Sequence, residues 1–264
     1  MGNRLTPIVK GLLLINLGVF VIQTLFRFDA WGLMSLKYFE SDAFAPWQIL
    51  TYMFVHSPFN MMHIFGNMLG LFVFGPWIEN VLGSKRFFTY YMLCGMGAGI
   101  LNYSVVFVEM QQQKYALEEA IKSPDSEKLV QYFDTYESRT YLQNFDLIND
   151  VAERNDKEQL NELKTTMQTL YSHKVQENSS LGGASGAIFG IMMAFFLLFP
   201  NVELMLLFFP FPIKAKYIIG FYVLFELYST MISTQQSNIA HLAHLGGALV
   251  GFLLIRFWKI RRQY

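Results

Sequence analysis

Apolar residues in this chain gather into long runs, broken by short polar stretches. A helix needs about 20 mostly apolar residues to cross a bilayer. Six runs approach that length: 8–26, 61–81, 87–108, 185–199, 217–232 and 242–258. The last three are short, which predicts burial among other helices or a locally thinned bilayer. Between the third and fourth runs the pattern changes. Residues 109–180 are charged and poor in glycine, and they carry Leu160, Leu163, Met167 and Leu170 at helical spacing. Pro124 and Asp125 follow Ser123 and mark a helix start there. This stretch is expected to form a soluble insert of roughly three helices. Residues 27–60 are rich in Phe, Trp and Tyr, which prefer the membrane–water interface, so part of this segment is expected to lie in that plane. The predicted organisation is a membrane core over 1–108, an acidic helical insert over 109–180, and a second part of the core with a basic tail over 181–264.

Composition agrees with this pattern. The chain is 53% hydrophobic and 15% charged, against about 25% charged in soluble domains. Its net charge is zero but unevenly spread. Residues 103–180 hold 14 Asp and Glu against 8 Lys and Arg. Arg4 and Lys10, Lys85 and Arg86, Lys214 and Lys216, and Arg256, Lys259, Arg261 and Arg262 all fall on one side of a six-span plan. Basic residues mark the cytoplasmic side, so both termini are expected there. The far side receives 27–60, the acidic insert and the uncharged loop at 233–240. The first run ends without a small-residue cleavage site and reads as a retained span. With no transit peptide, the plan suits a bacterial inner membrane. The single cysteine, Cys94, reads as a small buried side chain. Asn178-Ser179-Ser180 matches a glycosylation triplet, a pattern common by chance.

Polar groups inside a bilayer are costly and demand a reason. His63, Asn67, Ser185 and His244 stand out. Ser185 opens the fourth run inside "GGASGAIFG". Small neighbours such as Gly183 and Gly186 suit close helix packing, and a lone serine there would be a packing residue. Yet free N–H groups at a helix start also favour developing negative charge, where an attacking nucleophile belongs. A serine needs a base. "IAHLAHLGGALVGF" offers His241 and His244, three apart on one face. Gly246 and Gly247 follow His244 and would let the sixth run press on the fourth. No acid lies on the sixth run, so packing is expected to orient the imidazole. Glu226 is the only acid well inside a run. His63 and Asn67 are four apart and point from one helix face, as paired oxyanion donors would. The bland alternative for them is an interhelical hydrogen bond. His56 lies near the interface, where it is either solvent-facing or part of a water-access region; the bland, solvent-facing reading is the expectation. A metal site from His63, His241 and His244 lacks the His-Glu-x-x-His arrangement, so neither metal nor cofactor is expected.

Gly183-Ala184-Ser185-Gly186, Ala243-His244-Leu245-Gly246-Gly247 and the His63…Asn67 pair, in this order, resemble a rhomboid intramembrane serine protease. Glu79-Asn80-Val81-Leu82-Gly83-Ser84 resembles that family too. The likeness covers about 8–102 and 181–258. It implies an all-α, six-span membrane bundle; the helical insert at 109–180, between spans three and four, is a departure to which the resemblance does not speak. It implies a Ser185–His244 dyad and an oxyanion hole of His63, Asn67 and the Ser185 N–H. It implies an aromatic under the imidazole, Phe189 here, where a tyrosine is often found. The family usually carries a Trp-Arg pair before span two; this chain has Trp47-Gln48. The expected activity is endopeptidase cleavage of the spanning segments of other membrane proteins. The expected partners are those substrates and the lipid bilayer, with substrate or partner docking on 109–180 and no nucleic acid. The alternative is a catalytically silent relative that binds membrane helices. A transporter would show internal repeats, and none is apparent.

Overall fold

The computed structural model describes residues 5–123, 126–154, 156–178, 180–206, 209–232 and 235–263. Arg4, Pro124, Asp125, Ser179, Ser233 and Thr234, on which some of the readings above fall, lie outside the described residues. The helices, in chain order, are α1 (Pro7–Leu25), α2 (Ala30–Met34), α3 (Gln48–Thr51), α4 (Met61–Leu82), α5 (Ser84–Lys122), α6 (Ser126–Tyr136), α7 (Ser138–Gln143), α8 (Phe145–Arg154), α9 (Lys157–His173), α10 (Ser185–Leu198), α11 (Ala215–Ile232) and α12 (Gln235–Phe257). Among the described residues α1, α4 and α5 are long and apolar enough to cross a membrane. Ser185–Leu198 and His241–Phe257 are shorter apolar helices.

The chain divides into two compact units. The first holds Met1–Phe39, Ala43–Tyr103 and Ser180–Tyr264; the second holds Glu40–Asp42 and Ser104–Ser179.

In the first unit α10 is the central helix, packed against α4, α11 and α12. Its 14 residues span about 21 Å at 1.5 Å per residue, short of the ~30 Å hydrocarbon thickness. Its apolar side chains, Ile188, Ile191, Phe195 and Leu198 among them, are buried by its neighbours. The α10–α12 contact is the closest. A Cβ on Gly247 would fall inside the backbone of Gly186, and one on Gly251 would lie 2.9 Å from the Gly190 backbone. Only glycine permits that approach.

The Glu79–Ser84 motif has a capping role. Pro7 opens α1, whose first N–H groups lack partners of their own. Glu79 supplies them: its carboxylate accepts from the N–H groups of Ile8 at 3.1 Å and Val9 at 3.0 Å, and from the Ser84 hydroxyl at 2.6 Å. Gly83, at φ 75°, turns the chain from α4 into α5.

The second unit has its own core of Leu129, Tyr132, Phe133, Ile148, Val151 and Met167. Leu160 and Met167 of α9 are buried, with Leu163 and Leu170 packed alongside. Lys114 pairs with Glu40 at 3.0 Å.

Three local expectations change. The helix expected to end at 108 continues unbroken through Lys122 as α5, because the run turns polar there without a glycine or proline to stop it. The expected loop at 233–240 is helical from Gln235 onward, again lacking a breaker. Between α10 and α11 the chain forms an antiparallel hairpin, β1 (Glu203–Leu206) and β2 (Phe209–Lys214), pairing Glu203 with Lys214 and Leu204 with Ile213. Pro212 gives no ladder N–H, which a two-stranded ribbon tolerates at its outer edge. This hairpin is a small departure from an otherwise all-α chain.

Candidate active site

Ser185 is the first residue of α10, so its N–H and those of the next residues are free of intrahelical partners. The segment before it is fastened to the aromatic 27–60 region. Leu181 exchanges backbone hydrogen bonds with Leu36, and the Gly183 N–H donates to the Tyr52 carbonyl at 2.8 Å. Gly183 adopts φ 125°, and a Cβ there would lie 2.8 Å from the His63 ring and 3.6 Å from the Asn67 amide. Gly183 is the wall facing those two side chains of α4. Gly186 and Gly247 do pack α10 on α12.

His244 stands on α12. Its imidazole stacks on Phe189, one turn after Ser185 on α10, with centroids 4.2 Å apart and planes 7° from parallel. His63 lies within charge–charge range of His244. His63 and Asn67 thus face the backbone just before Ser185, and His244 lies against the turn just after it. The Ser185 hydroxyl makes no hydrogen bond to His244 among the described residues.

Two residues outside the expected set join this cluster. His56, expected to face solvent, is 1% exposed. Its Nε2 lies 2.9 Å from the Asn67 amide nitrogen, so the amide donates to the ring. Burial, and after it the charge of His63, pushes His56 down to about 3, which keeps the ring neutral and able to accept. The second is Glu226 of α11, also buried. One carboxylate oxygen meets His241 Nδ1 at 2.5 Å, and the other lies 3.2 Å from His244 Nδ1. The latter pair is within ion-pair distance but not aligned as a hydrogen bond. The sequence signal for Glu226 was its isolation: a lone acid inside an apolar run needs partners. His56 carried no such signal, because its segment is not periodic.

Glu226, His241 and His244 each present a ligand atom within 4.8 Å of the others, a grouping that suits a divalent ion. The metal grouping weighed and set aside from the sequence had His63 with the two histidines; in the fold it is Glu226 that meets them, because α11 packs on α12.

Gln48 replaces the expected arginine and still anchors its loop. It is 1% exposed. Its amide donates to the Ala43 carbonyl at 2.8 Å, and its carbonyl accepts from the N–H groups of Lys37 at 3.3 Å and Ala45 at 3.2 Å.

The sequence profile described as Rhomboid domain matches residues 43–111 and 163–260, which include every residue of the cluster. No curated protein matches the chain.

Proposed function

The chain belongs to the rhomboid family of integral membrane proteins, and from that premise we propose that it is an intramembrane serine endopeptidase. Its substrates are the spanning segments of other membrane proteins. Six helices cross the bilayer in this reading: α1, α4, the first part of α5, α10, α11 and α12. Residues 1–108 and 181–264 form the membrane core, and 109–180 form an extramembrane insert that docks substrates or a partner. Both termini face the cytoplasm of a bacterial cell.

Ser185 attacks the substrate carbonyl while His244 takes its proton. His63, Asn67 and the Ser185 N–H hold the oxyanion, and Asn67 is oriented for this by His56. His244 then returns the proton to the leaving amine. A water molecule, deprotonated by His244, hydrolyses the acyl-enzyme and frees Ser185. Carbonyls in a helix are occupied, so the substrate must unwind near the cut. Small residues beside the cut fit the glycine-rich wall at Gly183. Entry runs past α11, whose exposed face of Phe221, Leu224, Phe225 and Tyr228 suits lipid or a second helix.

The observation that carries this reading is the His244–Phe189 stack. It fastens a histidine one turn from a serine that opens a buried helix. A fluorophosphonate probe tests it. The wild-type chain should become labelled, and the Ser185→Ala and His244→Ala variants should not. A wild-type chain that stays unlabelled while its fold is intact would favour a silent, helix-binding relative.

A further inference from the structure

His244 is held by two partners of different kinds, and the mechanism above uses only one. Phe189 sets the plane of the imidazole. Stacking alone leaves a ring free to turn within that plane, whereas a base must aim one nitrogen at the serine. The other nitrogen is accounted for by Glu226. Nδ1 of His244 lies 3.2 Å from Glu226 Oε1 and makes no hydrogen bond among the described residues.

The carboxylate is itself fixed. Its side chain is 3% exposed, and His241 Nδ1 holds the second oxygen. Among the described residues, Tyr222, one turn earlier on α11, is also within range of its charge. His63 of α4, among the described residues, also lies within charge–charge range of His244. A buried carboxylate among apolar helices persists only when paired, and the two imidazoles of α12 are the pairing that α11 meets.

We propose that Glu226 is a positioning residue for His244. This rests on the reading of Ser185 as nucleophile and His244 as base. A neutral imidazole carries one N–H. With that N–H at Nδ1, facing the carboxylate, Nε2 keeps its lone pair and takes the serine proton. With the tautomer reversed, Nε2 carries the N–H and accepts nothing. Glu226 selects the working tautomer and favours the imidazolium that forms during attack. His241 keeps the carboxylate turned toward the ring. The separation of 3.2 Å is already within hydrogen-bond reach, and such bonds commonly align and tighten when substrate arrives.

The test uses the full chain in detergent. It follows the rate of fluorophosphonate labelling, together with kcat and KM on a cleaved membrane substrate. Glu226→Gln is expected to lower the labelling rate and kcat by the same factor, roughly 10²- to 10⁴-fold, with KM unchanged. Glu226→Asp, which restores the charge, should recover much of the loss. A Gln variant that reacts at the wild-type rate, while Ser185→Ala stays unlabelled, leaves the protease reading intact and removes this role. An Asp variant no faster than the Gln variant also overturns it. So does a wild-type chain whose labelling is lost to EDTA and restored by zinc, which would assign the three side chains to a metal. A wild-type chain that never labels removes the protease reading itself.

Discussion

The Phe189 ring and the His244 imidazole lie face to face, 4.2 Å between centroids and 7° from parallel. Phe189 is four residues after Ser185, so the stack ties the histidine of α12 to the turn of α10 that follows the serine. An aromatic contact of this kind contributes about 0.5–1.5 kcal/mol beyond its buried area. Phe189→Ala should therefore slow fluorophosphonate labelling by about 2- to 13-fold. Phe189→Tyr keeps the flat face and should react close to the wild-type rate. An alanine variant as reactive as wild type would show that the stack does not orient the base.

The α10–α12 contact makes a stability prediction. A Cβ at Gly247 meets backbone, which cannot swing away as a flexible side chain would. Gly247→Ala should cost about 1–3 kcal/mol through overpacking, read as a lower thermal midpoint in detergent. Gly11 is the matched control. It also lies in a helix, but a Cβ there meets nothing within 4 Å. Gly11→Ala should be neutral or slightly stabilising, since alanine is the better helix former. Equal effects at the two positions would contradict the packing argument.

His56 predicts acid sensitivity. Its folded value is pushed down to about 3, whereas an unfolded histidine titrates near 6.5. Between those values the unfolded chain binds more protons than the folded one. Stability therefore falls as pH drops through that window, by up to about 1.4 kcal/mol per pH unit from this ring. Equilibrium unfolding at pH 7 and pH 4 should show the loss. His56→Gln, which can still accept from Asn67 through its amide oxygen, should flatten the slope. An unchanged slope in that variant would assign the acid sensitivity elsewhere.

Much of this site was legible because membrane burial makes polar residues conspicuous. Ser185, His63, Asn67 and His244 each interrupt an apolar run, and helical spacing puts His63 with Asn67. Glu226 was equally conspicuous, but no periodicity within one helix reveals which neighbour it meets. The pairing of α11 with α12 is a tertiary fact. His56 and Gln48 were hidden for another reason: both lie in an irregular segment, where burial follows from long-range contacts and not from a repeat. The missed α5 and α12 boundaries share one cause. A change from apolar to polar composition marks where a helix leaves its core, not where its hydrogen bonds stop.

The second unit allows the reaction to be separated from substrate choice. All the residues of the candidate site belong to the first unit, and the second has its own apolar core. Replacing residues 112–176 with a short flexible linker should therefore leave Ser185 labelling near the wild-type rate. If the unit docks substrates, cleavage of a panel of membrane proteins should change selectively, with some substrates lost and others retained. Uniform cleavage across the panel would make the unit an appendage without influence on selection. Loss of labelling together with a lower thermal midpoint would instead make it part of what stabilises the core. The labelling rate, the panel and the thermal midpoint, measured on one variant, therefore separate recognition from folding.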